Sequence, residues 1–210
     1  MTTALVTGFE PFAGDARNPS AEAVHLLAES WDGPEMLVTA VLPTAFGSST
    51  ERLAQLLAQH SPDVVIATGL AGGRAWITPE RVAVNLIDAR VPDNAGEQPV
   101  DEPSLAGAPA AYFSGLPVKA IVNAVAAAGI PARESLSAGA FVCNHVFFRL
   151  MDAVALRSAD APPADRLVHA GFIHVPWADG FGGPADAPTL PIEDIERALR
   201  IALRVTLDQG

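Results

Sequence analysis

The chain has 210 residues, of which 50% are hydrophobic, so it can bury one sizeable core and wholesale disorder is excluded. Acidic residues outnumber basic ones by 24 to 13, and the net charge of −11 argues against nucleic acid or an anionic membrane as the main partner. A single cysteine excludes an internal disulfide and a zinc site built from several thiolates.

Short apolar strands alternate with amphipathic helices along most of the chain. In chain order we predict a strand at 4–8, a helix at 19–30, a strand at 36–42, a helix at 47–59, a strand at 64–68, two short strands around 76–77 and 82–86, a helix at 117–128, a strand near 132–135, a helix from about 139, a strand at 166–174 and a helix from about 190. Proline-rich residues 89–117 predict a long irregular excursion, with at most a turn of strand near Tyr112, and 157–166 a polar connection. The alternation predicts an α/β fold, a single domain over 1–210 whose mostly parallel sheet is covered on both faces.

The only cysteine, Cys143, lies where small residues give way to a helical pattern. A helix that opens near Gly139 or Ala140 places Cys143 about one turn inside its N-terminus. The unpaired amides and the helix dipole there favour an anion, so we expect the thiol to be held partly as thiolate at neutral pH. A small buried cysteine that packs as a core hydrophobe explains this stretch equally well.

A cysteine nucleophile needs a base within hydrogen-bond reach. His174 is the best placed of the five histidines, because it follows a predicted strand at the edge where α/β sheets form their sites. His145 is two residues beyond Cys143, and two helical residues are rotated by about 200°, so its side chain should point away. Spacing leaves open which acid would orient the imidazole: Glu80, Asp88, Asp93 or Glu97.

A glycine cluster, Gly69–Arg74, follows the third strand but matches neither common phosphate-loop pattern. Its glycines are better explained by a close approach of the backbone to a ligand. Phe9, Phe12 and Phe141 lie in loops or at a helix start. They are typical of core packing, and they would also suit the wall of a small apolar pocket.

At these residues the chain resembles the pyroglutamyl peptidase I family of cysteine peptidases, also called pyrrolidone-carboxylate peptidases. The resemblance is carried, in order, by residues 7–12 with 18–20, 69–74 with 80–85, 89–99, and 137–148 with 171–176. It implies an α/β/α sandwich with a mostly parallel, twisted central sheet. It also implies removal of an N-terminal pyroglutamyl (5-oxoproline) residue from peptides through a thioester acyl-enzyme, with no metal or cofactor.

The resemblance also implies roles for individual residues. Cys143 matches the nucleophile, His174 the base and Glu80 the acid that orients the histidine, while Arg90 matches an arginine that would support the transition state. The positions implied for binding the pyroglutamyl ring are Phe9, Phe12, Asn18, Leu70 and Phe141. Bacterial and archaeal members are commonly tetramers, which implies a homo-oligomer here.

Three features depart from the family pattern. Leu70 stands where the family usually has glutamine, Ala13 replaces a usual glycine, and the long spacing from Cys143 to His174 implies an insertion within 157–166. Leu70 keeps open a catalytically weak relative that only binds 5-oxoproline or peptides. A phosphorylase or nucleosidase on a similar sheet is a further alternative, which the scarcity of basic residues near the glycine cluster argues against.

The N-terminus carries no basic segment followed by an apolar run of signal-peptide length, and no segment approaches the roughly 18 apolar residues of a membrane span. We therefore expect a cytoplasmic protein that acts on pyroglutamyl peptides, with neither nucleic acid nor membrane as a partner.

Overall fold

The computed structural model describes residues 2–160 and 169–209. In chain order its elements are β1 (Thr3–Phe9), α1 (Pro19–Ser30), β2 (Met36–Leu42), α2 (Phe46–His60), β3 (Val64–Leu70), β4 (Thr78–Pro79), β5 (Val82–Val84), β6 (Ala111–Phe113), α3 (Val118–Ala127), α4 (Val142–Asp160), β7 (His169–Val175), β8 (Trp177–Ala178), β9 (Thr189–Leu190) and α5 (Ile192–Leu207). No helix within these residues is both long enough and apolar enough to cross a bilayer.

The central sheet has five strands in the order β2-β1-β3-β7-β4. The first four are parallel to one another, and the short β4 runs antiparallel to β7. β5 pairs with β6 and β8 with β9 in two small separate sheets. The predicted α/β fold with a mostly parallel central sheet is therefore confirmed.

Alternate residues of the central strands enter two different cores, one on each face of the sheet. Val6 and Ile66 pack in the core that α1, α3 and α5 cover, whereas Leu5 and Val65 pack in the core that α2 and α4 cover. Both sets are almost fully buried, because a parallel sheet with helices on each face leaves neither face to solvent. This explains why the sequences of these strands are continuous apolar runs.

Helix α1 begins as predicted. Asn18 is its N-cap and accepts a hydrogen bond from the amide of Ser20, and Pro19 is the first helical residue.

The predicted helix start near 139 is wrong, because α4 begins at Val142. Gly139 has φ +80°, which is outside the helical region, and the Ala140 carbonyl accepts a hydrogen bond from the amide of Asp88. Cys143 is therefore the second residue of α4 and lies in its first turn.

The strand predicted near 132–135 is reduced to isolated bridges at Ala132 and Ser135. An extended segment does run beside 77–81, with the amide of Arg133 bonded to Ile77 and that of Ser135 to Pro79. Pro79 has no amide hydrogen to donate toward Arg133, so the ladder lacks one bond there and resumes with the amide of Arg81 bonded to Ser135.

The second half of the chain departs from prediction in smaller ways. α4 extends to Asp160 and so covers the start of the predicted polar connection, while residues 161–166 of that connection, and 166–168 of the predicted strand, lie outside the described residues. The two-residue strands β8 and β9 were not predicted, since elements this short leave no periodicity.

Candidate active site

Glu80 and His174 meet because of the pairing at the edge of the sheet. β4 places Thr78 opposite His174, and the Glu80 amide donates to the Phe172 carbonyl at 2.9 Å. Glu80 Oε1 lies 2.8 Å from His174 Nδ1. An ionised carboxylate can only accept, so Nδ1 carries the proton and donates it, which leaves Nε2 able to accept one. Of the four candidate acids, Glu80 is the one that touches the histidine.

Arg74, the last residue of the glycine cluster, is a third member of this group. Its Nη1 donates to Glu80 Oε1 at 2.6 Å and to Thr78 Oγ1 at 2.8 Å, and its Nη2 donates to the Ser137 carbonyl at 2.8 Å. Sequence reasoning assigned Arg74 no role. The signal that it gave, a position in a glycine-rich loop after a strand, does not specify a carboxylate partner.

The Glu80 side chain is fully buried, with no exposed surface. Burial opposes its ionisation, but the hydrogen bond and charge of His174, with smaller contributions from Ser135 and Arg74, outweigh burial and hold the pKa of Glu80 below its usual value. Burial lowers the pKa of His174, although Glu80 raises it through the same hydrogen bond and its charge. The resting pair is thus a carboxylate beside a neutral imidazole.

Cys143 reaches the same edge of the sheet from α4. A Cβ atom on Gly69 would lie 2.8 Å from Cys143 Sγ and 3.0 Å from the ring of Phe172, so only glycine leaves room for the sulfur there. Gly69 on β3 is paired with His174 on β7. The thiol therefore lies over the strand position next to the histidine.

This geometry corrects the explanation of the glycine cluster. Gly69 accommodates the thiol, and a Cβ on Gly72 would lie 2.5 Å from Nε1 of Trp177. Gly69 and Gly72 make room for side chains of the protein itself, whereas Gly73 adjoins open space, so a close approach of a ligand stays a prediction for Gly73 alone.

The expected thiolate is wrong for the resting site. Burial, reinforced by the negative charge of Glu80, raises the pKa of the Cys143 thiol to about 12, and the charge of Arg74 and a backbone hydrogen bond offset only part of this. The first turn of α4 favours an anion but does not outweigh removal from water. The thiol of Cys143 is therefore neutral at neutral pH.

A pocket with a volume of about 100 Å³ adjoins the thiol. Its lining contains Cys143 and all five residues implied for ring binding, Phe9, Phe12, Asn18, Leu70 and Phe141. The Phe141 ring centroid lies 5.3 Å from that of Phe12 and 5.2 Å from that of Phe46. One aromatic cluster therefore forms the pocket wall next to the Cys143 thiol, and Phe46, which supports it, was missed.

Asn18 lines this pocket, but most of its hydrogen-bonding capacity serves the fold. Its Oδ1 accepts from the amide and hydroxyl of Ser20, and its Nδ2 donates to the Glu10 carbonyl. One amide hydrogen remains for a ligand.

The structure does not bring Arg90 into the same group. Its side chain is exposed, and among the described residues it makes no hydrogen bond to Glu80, Cys143 or His174. Two residues earlier, the Asp88 amide bonds to Ala140, just ahead of α4.

Two further residues hold the nucleophile and the aromatic wall in place. Asn144 is fully buried and accepts from the amide of Val84 while donating to the carbonyls of Val84 and Leu86, which fixes the start of α4 against β5. Asp93 Oδ2 accepts from the Phe46 amide at 2.8 Å and so caps α2, whose own N-cap, Ala45, has no polar side chain. Asp93 was a candidate acid for the imidazole, and it caps a helix instead.

Known proteins with similar sequences and structures match almost the whole chain. The family model for pyroglutamyl peptidases matches residues 2–209. The chain is 49% identical to pyrrolidone-carboxylate peptidase 1 of Ralstonia nicotianae, and the match covers 99% of this chain and 94% of that protein. It is 46% identical to the pyrrolidone-carboxylate peptidase of Bacillus amyloliquefaciens, and that match covers 94% of this chain and 89% of that protein.

Solved structures of such peptidases are also similar to this chain. The crystal structure of Bacillus amyloliquefaciens pyroglutamyl peptidase I is similar with a TM-score of 0.91 at 43% identity, covering 99% of this chain and 98% of that one. A mutant pyrrolidone carboxyl peptidase from Pyrococcus furiosus gives 0.90 at 38% identity, covering 99% of each chain. The chain therefore belongs to the pyroglutamyl peptidase family.

Proposed function

We propose that this enzyme removes the N-terminal pyroglutamyl residue of peptides, with Cys143 as nucleophile, His174 as general base and acid, and Glu80 as the group that orients the imidazole. The observation that carries the proposal is the placement of one thiol between an aromatic pocket and a buried histidine–carboxylate pair. Identity over nearly the whole chain to peptidases of this family favours turnover over the alternative of binding alone.

The pocket suits the chemistry of a lactam. A pyroglutamyl ring carries no charge and no free amine, so an acidic site for an amino terminus would leave buried charge unpaired. Aromatic faces with a few hydrogen bonds recognise such a ring better, and Phe9, Phe12 and Phe141 supply the faces while Asn18 supplies one amide hydrogen. The two charged residues of the lining, Asp15 and Arg17, are not fully buried, and Arg17 is paired with Glu22.

The reaction proceeds in two halves. Cys143 Sγ attacks the pyroglutamyl carbonyl and its proton passes to His174 Nε2, and Glu80 stabilises the imidazolium that forms. Collapse of the tetrahedral adduct breaks the C–N bond, the imidazolium protonates the leaving amine, and a thioester remains. Water, deprotonated by His174, then attacks the thioester, releases 5-oxoproline and restores the thiol.

Stabilisation of the oxyanion is assigned to backbone amides in the first turn of α4, where the helix dipole favours negative charge. Arg90 would add positive charge after its exposed guanidinium turns toward the pocket. Activity of Arg90→Ala within a few-fold of the wild type would remove it from the mechanism.

Hydrolysis of pyroglutamyl-aminomethylcoumarin by the wild type and by Cys143→Ala tests the central proposal. The wild type should release the fluorophore and lose activity with iodoacetamide, and Cys143→Ala should be inactive while its melting temperature stays near that of the wild type. Turnover by Cys143→Ala would contradict the mechanism. Binding of 5-oxoproline in calorimetry without turnover by the wild type would establish the alternative.

A cytoplasmic location, a homotetramer and a single domain over 1–210 are further proposals. The exposed apolar side chains of Phe113, at 78%, and Leu136, at 73%, support a contact between subunits. Light scattering on the purified protein tests the tetramer, and a monomer mass would reject it.

A further inference from the structure

We propose that Arg74 is a positioning residue. It connects the Glu80–His174 pair to the segment that leads to Cys143 and fixes the position of each relative to the other. Its guanidinium bonds at the same time to Glu80, to Thr78 and to the Ser137 carbonyl. This inference rests on the proposed function, because it concerns how the same site keeps its geometry.

The first argument is the way in which Glu80 is held. Its Oε1 accepts from both His174 Nδ1 and Arg74 Nη1, whereas its Oε2 has no hydrogen-bond partner among the described residues. Two donors on one oxygen fix the plane of the carboxylate. With Arg74 removed, Oε1 would keep only its bond to the imidazole, so the carboxylate would be held less firmly.

The second argument is the reach of Arg74 to the other side of the site. Ser137 begins the short loop that continues through Gly139 to Phe141 and Cys143. Because Nη2 holds the Ser137 carbonyl, the same planar group fixes the acid and the start of the nucleophile loop. A third contact, to Thr78 Oγ1, lies against the strand that carries His174, since that hydroxyl donates to the His174 carbonyl.

The third argument is that Arg74 is absent from the lining of the aromatic pocket. Its loss should therefore change the rate of the chemical step more than the affinity for the ring. Its charge also faces the titratable groups of the site, Glu80, His174 and Cys143, and it lowers the pKa of each of them.

The test compares Arg74→Ala and Arg74→Lys with Arg81→Ala, a control that removes an exposed ion pair with Glu134. For Arg74→Ala we expect kcat to fall about 100-fold, as small misplacements of reacting groups do, with KM changed less than about threefold. Arg74→Lys should be intermediate, because an ammonium keeps the charge but cannot bridge three acceptors in one plane. Arg81→Ala should stay within about twofold of the wild type.

A role in folding alone would not change the pH profile. In Arg74→Ala the acidic limb of kcat/KM should move to higher pH, because the cation that disfavours protonation of His174 is gone, whereas Arg74→Lys, which keeps the cation, should move it less. An unshifted limb in Arg74→Ala, a loss confined to KM, or Arg74→Lys with wild-type kcat would each overturn the inference. If Arg74→Ala does not fold, the comparison of Arg74→Lys with the wild type decides it.

Alkylation of Cys143 by iodoacetamide separates this inference from the proposed function, since it needs no peptide substrate. At neutral pH, alkylation of Arg74→Ala should be at least about threefold slower than that of the wild type and of Arg81→Ala. Equal rates in all three proteins would overturn the inference. A wild type that is alkylated normally but hydrolyses no pyroglutamyl substrate would instead overturn the proposed function.

Discussion

Two buried histidines in the region of the site have different hydrogen-bond partners. His174, at 4% exposure, faces the carboxylate of Glu80, whereas His145, at 7% exposure, bonds through Nδ1 to the Ser104 hydroxyl at 2.7 Å and packs on the ring of Phe46. Burial lowers the pKa of both histidines, but a carboxylate opposes this only at His174. Of the two, His174 is the one that can take up a proton during a reaction without leaving a buried charge uncompensated.

The comparison separates an acid–base half, built from charges that compensate one another, from a pocket half, built from neutral and apolar contacts. The first comprises Arg74, Glu80 and His174, and the second the cluster of Phe12, Phe46 and Phe141 with His145 behind it. Changes in the first half should alter turnover, and changes in the second should alter affinity or stability.

The largest effect should come from Glu80→Gln. A neutral amide cannot stabilise the imidazolium, and its NH₂ group can force the histidine into the tautomer that has no free Nε2 lone pair, so we expect kcat to fall about 10³-fold or more. KM should change little, because Glu80 does not line the pocket. Steady-state kinetics measures this, with Glu134→Gln, a change of an exposed acid that pairs with Arg81, as the control. Near-normal turnover would remove Glu80 from the proposed mechanism.

His145 should make the fold sensitive to acid. Burial, with the charge of Arg149, lowers its pKa from 6.5 to about 4. Between these pH values the unfolded chain binds a proton that the folded chain does not, so the free energy of unfolding falls as the pH falls through this window. The contribution is on the order of 3 kcal/mol, since each pKa unit corresponds to about 1.4 kcal/mol.

Urea unfolding of His145→Asn at several pH values isolates that contribution. Asparagine keeps a polar group near Ser104 but does not titrate, so the loss of stability between pH 6.5 and 4 should be smaller than in the wild type. Some loss remains, because the lowered pKa values of His174 and Glu80 act in the same direction. His25→Asn, at an exposed position of α1, should keep the full wild-type dependence. Identical curves for all three proteins would refute the assignment.

Phe141→Ala should weaken binding. The change removes ring contacts with Phe12 and Phe46, each worth about 0.5–1.5 kcal/mol, together with one wall of the pocket. We expect KM to rise about tenfold with a smaller change in kcat, measured with the fluorogenic substrate. Met36→Ala, which removes a half-exposed apolar side chain outside the pocket lining, is the control. A fall in kcat at constant KM would place Phe141 in the chemical step instead.

The sequence predicted the parts of the site that depend on local pattern. His174 was found from its position at the end of a strand, and His145 was set aside from helical rotation. Spacing could not choose Glu80 from four acids, because the choice depends on the pairing of β4 with β7, which the sequence does not display; the resemblance supplied it. Arg74 was missed for the same reason, since its three acceptors come from two segments that are far apart in the sequence, residues 78–80 and the loop at Ser137.

The thiolate expectation failed for a different reason. A helix start is visible in a sequence, but the extent to which the sulfur is removed from water is not. Cys143 packs against the core beneath α2 and α4, where Gly69 on another strand leaves room for its sulfur, and this burial raises the pKa of Cys143 more than the helix start lowers it.

The smallest effect concerns Ala13, at the edge of the pocket half. Ala13 has φ +55°, a left-handed conformation that costs a non-glycine residue about 1–2 kcal/mol, and the family usually has glycine there. Ala13→Gly relieves this strain but adds freedom to the unfolded chain, worth roughly 0.5–1 kcal/mol, so the net gain should be about 0.5–1 kcal/mol. The neighbouring Gly14, at φ +86°, offers the matched opposite, since Gly14→Ala should destabilise the fold by a similar amount. Urea unfolding measures the stability of both variants. The kcat of each should equal that of the wild type, because neither position touches the acid–base half. A less stable Ala13→Gly would mean that contacts of the Ala13 methyl outweigh the backbone strain.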